Sequence, residues 1–142
     1  MMKYFEDFQV GGKLITRART VTEADLVSFA ALTGDWYPLH TDIEYAKRSR
    51  FEERIAHGML VLSYANGLIP FCDMAIIAFY GMDRVRLTAP TKIGDTIHVE
   101  LEVTEKQERD EHSGLVTFRE WAKNQRGEDV AVCFLKLLVA KR

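Results

Sequence analysis

The fold is decided by residues Ile55–Ile69, which read IAHGMLVLSYANGLI. Apolar side chains occupy almost every face of a helix drawn through this stretch, which is typical of a helix buried in a core and not of an amphipathic surface helix. A strand is the competing interpretation. The stretch is longer than the usual strand, however, and Pro70 stands just beyond its end, where helices commonly stop. We therefore expect a buried central helix.

The residues that follow this helix predict a β-sheet. They are rich in β-branched and aromatic side chains and are punctuated by glycine, proline and aspartate, so they divide into short strands. Within Thr96–Val103 apolar and polar residues alternate, which predicts one buried and one solvated face. The predicted strands are Ala75–Tyr80, Val85–Ala89, Thr96–Lys106, Ser113–Asn124 and Val130–Val139.

A strand at Leu14–Val21 is predicted ahead of the first helix. Thr22 occupies the N-cap position of that helix and Asp25 the capping-box position, while Gly34 is placed to end it. A second short helix is predicted over Ile43–Arg48. The order of a strand, helices, the core helix and then antiparallel strands predicts an α+β fold in which the sheet wraps around the buried helix.

Composition limits the class of protein. The chain has 142 residues, which suits one domain spanning residues 1–142. A net charge of −2 provides no basic field to attract nucleic acid or anionic lipid. Apolar stretches are too short to span a bilayer, and the first residues lack the apolar segment of a signal peptide. Cys72 and Cys133 lie among apolar residues without CxxC spacing, so we expect buried free thiols in a cytoplasmic protein.

The candidate catalytic segment is Thr33–Asp42, which reads TGDWYPLHTD. Pro38 disfavours helical geometry in the residue before it, so Asp35 and His40 are expected on a fixed, turning loop that aims both side chains at one point. A carboxylate and an imidazole are the common equipment for moving protons near neutral pH. Asp42 is expected instead to cap the following helix.

Two motifs carry a resemblance to a known family. The segment Gly34–Asp42, GDWYPLHTD, followed by Ile55–Leu60, IAHGML, resembles the MaoC-like dehydratases, which are R-specific enoyl-CoA hydratases of the hotdog fold. Similar segments at Phe5–Gly11 and Ala89–Thr96 extend the resemblance over essentially the whole chain. It implies a lyase that reversibly hydrates a 2-enoyl thioester of CoA or acyl carrier protein to the R-3-hydroxyacyl thioester. It also implies a homodimer or an assembly of dimers.

The same resemblance implies the catalytic roles. Asp35 and His40 would hold the water, and the backbone N–H of Gly58 would stabilise the thioester oxygen. The chemistry agrees, because hydration needs a base, an acid and a donor for the enolate-like oxygen, and the first N–H of a buried helix has no intrahelical acceptor. Which of the two side chains is acid and which is base stays open. The reaction requires no metal and no other cofactor.

Further residues are expected around the substrate. His57 is expected chiefly to fix the loop that presents the oxyanion donor. Ser63 and Asn66 form the polar minority of the core helix, where burial requires hydrogen-bond partners, and Asn66 is a candidate for the acyl pocket. Arg86 and Lys92 are candidates for the CoA phosphates.

Tyr37 departs from the family pattern, which usually has asparagine at this position. A phenol is larger than an amide and offers one hydroxyl. Tyr37 therefore either replaces the amide hydrogen bond from another direction or reshapes the pocket for a different acyl group.

Two alternative functions stay open. A thioesterase on the same fold usually places a carboxylate on the core helix, and Met59–Gly67 contains none. A non-catalytic subunit that binds acyl thioesters is favoured by Tyr37, because a blocked water site could still bind a ligand.

Overall fold

Ten helices and strands form the fold of the computed structural model, which describes residues 1–142. Two 3-10 turns, at Phe5–Asp7 and Phe71–Asp73, accompany them. In chain order the elements are β1 (Lys13–Ile15), β2 (Arg19–Thr20), α1 (Glu23–Thr33), α2 (Pro38–Thr41), α3 (Ile43–Lys47), α4 (Gly58–Leu68), β3 (Ile76–Arg86), β4 (Thr96–Glu108), β5 (Ser113–Lys123) and β6 (Asp129–Ala140). None of the helices combines the length and the apolar character needed to cross a bilayer.

The sheet is antiparallel and packs against α4. Its strands follow the order β1-β4-β5-β6-β3, and β2 pairs with the first two residues of β4. Four residues of α4 join the core, namely Leu60, Val61, Ala65 and Leu68. The predicted alternation in β4 is confirmed, since Ile97, Val99, Leu101 and Val103 are buried. The predicted α+β architecture, a sheet around a central helix, is therefore confirmed.

One face of α4 stays open to solvent, in contrast to the predicted burial of most faces. Met59 is 64% exposed, and Ser63 and Gly67 continue the same stripe along the helix. The sheet covers one side of α4, and no element of this chain covers the other. Residues Ile55–His57, which precede the helix, run extended and bridge from Ile55 to Lys92.

Two of the strand predictions differ from the structure. In one a side-chain hydrogen bond interrupts the backbone pairing, and in the other β-bulges allow the pairing to continue. The strand predicted at Leu14–Val21 divides into β1 and β2, and between them the Thr16 hydroxyl accepts the Val99 N–H at 2.9 Å. Conversely, the segments predicted on either side of Gly81 form one strand, β3. Register shifts on both sides of Gly81 and Arg84, the latter with φ of 51°, let β3 continue along β6.

The helix ends follow the sequence signals closely. The Thr22 hydroxyl accepts the Asp25 N–H, the Asp25 carboxylate accepts the Thr22 N–H, and Gly34 ends α1 with φ of 78°. Asp42 caps α3 by accepting the Tyr45 N–H at 3.0 Å. These predictions are confirmed.

The two cysteines are free thiols, as predicted, but only one of them is buried. Cys133 lies in the sheet, whereas Cys72 is exposed. The prediction was wrong for Cys72 because the 3-10 turn at Phe71–Asp73 directs its side chain outward, although its sequence neighbours are apolar.

Candidate active site

The segment between α1 and α2 brings the candidate acid to the surface. Asp35 follows the left-handed Gly34, and its carboxylate accepts the Tyr37 N–H at 3.2 Å. Tyr37 is extended, with φ of −52° and ψ of 132°, as a residue before proline should be. Pro38 then begins the one-turn helix α2, so His40 lies on a helix rather than on the loop that the sequence predicts.

His40 is half-buried and held in one tautomer. Its Nδ1 lies 2.7 Å from the carbonyl oxygen of Ile55. A carbonyl only accepts hydrogen bonds, so Nδ1 carries the hydrogen and the lone pair of Nε2 is left for another partner. Burial lowers the pKa of His40, although the Ile55 hydrogen bond and Asp35 oppose that shift. The imidazole is therefore neutral at pH 7.

His57 completes a compact group of side chains with Asp35 and His40. Ring or carboxylate atoms of these three residues lie within 4.8 Å of one another. The His57 ring is 2% exposed and stacks on His40, with centroids 4.0 Å apart, while its Nε2 donates to the Asp35 carbonyl oxygen at 2.9 Å. The predicted acid and imidazole are thus brought together.

This group is a poor metal centre. The lone pairs of imidazole nitrogens lie in the ring plane, and the rings of His40 and His57 are inclined by only 28°. Stacked rings direct these lone pairs nearly parallel to each other, so they do not converge on one ion. In addition, Nε2 of His57 is occupied by the Asp35 carbonyl.

A groove of about 490 Å³ runs past His40 to the first residue of α4, Gly58. Gly58 begins the helix, so its N–H has no intrahelical acceptor, and the positive end of the helix dipole points into the groove. The opposite wall is the segment Leu87–Thr91. A Cβ on Gly58 would lie 3.2 Å from Cγ of Leu87, so the wall passes very close to this glycine. His40 and the candidate oxyanion donor therefore share one groove.

The other predicted binding residues lie at different distances from this groove. Lys92 directly follows the groove wall and pairs with Glu53 at 3.7 Å, and Arg86 directly precedes the wall. Ser63 is exposed and donates to the Met59 carbonyl at 2.7 Å. Asn66 lines a separate apolar pocket near Phe71–Met74 and Phe79. Neither Ser63 nor Asn66 lines the groove of its own chain, so a role in substrate binding stays a prediction for both.

Tyr37 points away from the groove. Its hydroxyl lies 3.2 Å from that of Tyr45, and the residue is 52% exposed. The hydrogen bond between the two hydroxyls raises the pKa of the Tyr45 phenol. The ring of Tyr37 meets His40 edge-on, with centroids 5.9 Å apart. Tyr37 thus flanks His40 and does not fill the space beside its Nε2 along the groove.

Two residues of the groove were missed from the sequence, Arg50 and Phe51. Arg50 is exposed, forms no ion pair, and lies 5.7 Å from the Phe51 ring centroid. Lys92, in contrast, is paired with an acid. The basic run at residues 47–50 directly after α3 was the available signal, but it reads equally well as a solvated helix end.

Comparison with known proteins identifies relatives along most of the chain. Protein MaoC of Klebsiella aerogenes is 45% identical over 114 residues, which is 78% of this chain and 33% of that protein, so the chain spans one third of its length. The (R)-specific enoyl-CoA hydratase of Rhodospirillum rubrum is 34% identical over 104 residues, covering 73% of this chain and 72% of the hydratase.

Solved structures agree with the fold described above. A protein from Archaeoglobus fulgidus described as a monoamine oxidase regulatory protein is 46% identical, with a TM-score of 0.94 over 99% of this chain and 96% of that one. A double-hotdog protein from Mycobacterium tuberculosis, 17% identical, has a TM-score of 0.88 over 99% of this chain and 45% of its own, which identifies the fold as a hotdog fold. The family model described as "MaoC like domain" matches residues 7–124, and the chain therefore belongs to the MaoC-like dehydratase family.

Proposed function

We propose that the protein catalyses the reversible hydration of a 2-enoyl thioester to the R-3-hydroxyacyl thioester. The observation that carries this proposal is the shared position of His40 and Gly58 in one groove, with the Asp35 carboxylate within 4.8 Å of the His40 ring. Relatives named as (R)-specific enoyl-CoA hydratases and as a 3-hydroxybutyryl-CoA dehydratase support the same reaction.

In the proposed reaction one water adds across the C2–C3 double bond. Asp35 and the free Nε2 of His40 hold the water, whose oxygen bonds to C3 while a proton is relayed to C2. The electron pair of the double bond passes through a thioester enolate, and the Gly58 N–H donates to its oxygen. Each proton-transfer group is expected to contribute about 10²–10⁴-fold in rate, and the oxyanion donor about 10²–10³-fold.

The decisive experiment replaces Asp35 by asparagine and measures hydration of crotonyl-CoA. Asp35→Asn should lower kcat by about 10²-fold or more, because the amide cannot take a proton from the water. Asp42→Asn is the matched control, since it removes a nearby carboxylate while asparagine still caps α3. Near wild-type kcat in Asp35→Asn would overturn the proposal.

Two alternatives have less support. Helix α4 carries no carboxylate, so a thioesterase of the kind that uses an acid on the core helix lacks its nucleophile or base. The exposed position of Tyr37 removes the main argument for a blocked water site in a non-catalytic subunit. Assays of thiol release from acyl-CoA and of acyl-CoA binding without hydration test these alternatives.

We also propose that the chain assembles as a homodimer. Strand β3 is a free edge of the sheet, with Ile77, Phe79 and Tyr80 each about half exposed, and Met59 is exposed on the open face of α4. Unpaired edges with large apolar side chains favour pairing with another chain. Light scattering should show a dimer, and Phe79→Lys should shift it toward monomer; a monomeric wild-type protein would contradict this.

The single-domain organisation and cytoplasmic location stay predictions.

A further inference from the structure

We propose that His57 is a positioning residue that holds Asp35, His40 and Gly58 in their relative positions. This inference rests on the proposed function, in which those three residues act on the substrate. The role of His57 differs from substrate binding, because its ring is 2% exposed and does not line the groove.

The ring of His57 is clamped between two elements. Phe29 of α1 packs against it with ring centroids 5.0 Å apart, and His40 of α2 stacks on it at 4.0 Å. Because aromatic contacts of this kind restrict both rings, any rotation of His57 displaces the imidazole of His40. The stack therefore fixes the plane in which Nε2 of His40 meets the water.

Two hydrogen bonds of His57 tie it to the backbone of Asp35 and to the first turn of α4. Its Nε2 donates to the Asp35 carbonyl oxygen at 2.9 Å, which fixes the hydrogen on Nε2 and anchors the backbone that bears the acid. Its own carbonyl oxygen accepts the Val61 N–H at 3.1 Å, so His57 is the first residue tied into the turn that begins at Gly58. One residue thus links all three groups.

The remaining ring nitrogen argues against a purely space-filling role. Nδ1 of His57 is buried without a hydrogen-bond partner in the chain. A buried polar atom without a partner is unfavourable, and a phenylalanine or leucine would fill the same space without it.

The test separates the contacts of His57 with two variants. His57→Phe keeps an aromatic ring for the stack but removes the hydrogen bond to Asp35. His57→Gln keeps an N–H donor and removes the stacked ring. Both variants should lower kcat for crotonyl-CoA hydration about 10–100-fold with KM within about threefold of wild type. Phe8→Leu, which shortens a buried ring packed on Phe118 and not on His57, is the packing control and should change kcat by less than about threefold.

The pH dependence distinguishes positioning from simple stabilisation. His57→Gln removes the stacked ring, so the imidazole of His40 becomes less buried and its pKa should rise. The acid limb of kcat/KM should therefore move to higher pH in His57→Gln. A purely structural role would leave that limb in place and reduce activity only in proportion to the unfolded fraction. An unchanged limb, or kcat within twofold of wild type in both variants, would overturn the inference.

An NMR measurement keeps the inference testable if the variants fail to fold or the proposed reaction fails. In the wild-type protein, ¹⁵N–¹H spectra should show His57 as the Nε2–H tautomer with a proton protected from exchange, and His40 as the Nδ1–H tautomer. A His57 ring proton that exchanges as fast as that of a solvated histidine would overturn the proposed link. Absence of hydration with a protected His57 proton would instead reject the proposed function alone.

Discussion

The imidazole rings of His40 and His57 stack with centroids 4.0 Å apart, and each ring is held by a different backbone carbonyl. The Ile55 carbonyl accepts from Nδ1 of His40, and the Asp35 carbonyl accepts from Nε2 of His57. The two hydrogen bonds fix opposite tautomers, with the hydrogen on Nδ1 of His40 and on Nε2 of His57. The free lone pair of His40 is therefore Nε2, on the residue that lines the groove.

Activity should persist to lower pH than an ordinary histidine would allow. Burial lowers the pKa of His40 below 6.5, so the neutral form that accepts a hydrogen bond from water prevails above that pH. We expect kcat/KM to fall toward acidic pH with a midpoint below that of an ordinary histidine. His40→Gln should lower kcat about 10²–10⁴-fold and abolish the acid limb; a limb retained in this variant would assign it to another group.

Arg50 should recognise the phosphate end of the thioester. Arg50→Ala should raise KM for crotonyl-CoA about 3–10-fold, because an exposed charge-assisted contact to phosphate is lost, and should leave KM for the phosphate-free crotonyl-N-acetylcysteamine unchanged. Arg48→Ala is the matched control, an exposed neighbour outside the groove. Equal effects on the two substrates would contradict a phosphate contact.

Glu120 should make the fold less stable as the pH rises. It lies in the core beside Cys133, whose thiol donates to its carboxyl at 3.1 Å, and burial raises the pKa of Glu120 despite this hydrogen bond. Above about pH 4.5 the unfolded chain releases this proton while the folded chain retains it. The free energy of unfolding should therefore fall by up to about 1.4 kcal/mol per pH unit, until the folded carboxyl also ionises.

Chemical denaturation at several pH values measures this effect. Glu120→Gln should be more stable than wild type by a margin that grows with pH above about 4.5, since the amide does not titrate and its oxygen can still accept from Cys133. Glu105→Gln, on an exposed part of β4, should show no such growth. A constant margin for Glu120→Gln would show that burial does not shift this carboxyl.

Gly114 should tolerate no side chain while Phe5 is present. A Cβ on Gly114 would overlap the ring of Phe5, which is buried against β5. Gly114→Ala should lower the free energy of unfolding by about 1–3 kcal/mol through overpacking. In a Phe5→Ala background, where the ring is gone, the same change should cost less than about 0.5 kcal/mol. Additive effects in thermal denaturation would contradict this contact.

The sequence by itself determined the features that depend on neighbouring residues. The capping box of Thr22 and Asp25, the left-handed end of α1 at Gly34 and the extended residue before Pro38 all follow from local hydrogen bonding and backbone sterics. The alternation in β4 likewise showed which side chains are buried, because successive residues of a strand face opposite sides. The spacing of Asp35 and His40 marked the candidate site.

Only the tertiary structure decided how distant residues meet. The stack of His57 on His40, the approach of Leu87 to Gly58 and the presence of Arg50 at the groove join elements far apart in the chain, and no local pattern specifies such contacts. Exposure of Cys72 was also decided there, since apolar neighbours in sequence do not show which way a turn directs its side chains. Local sterics determine which segments form helices and strands, whereas packing of the sheet on α4 determines which residues of distant segments come into contact.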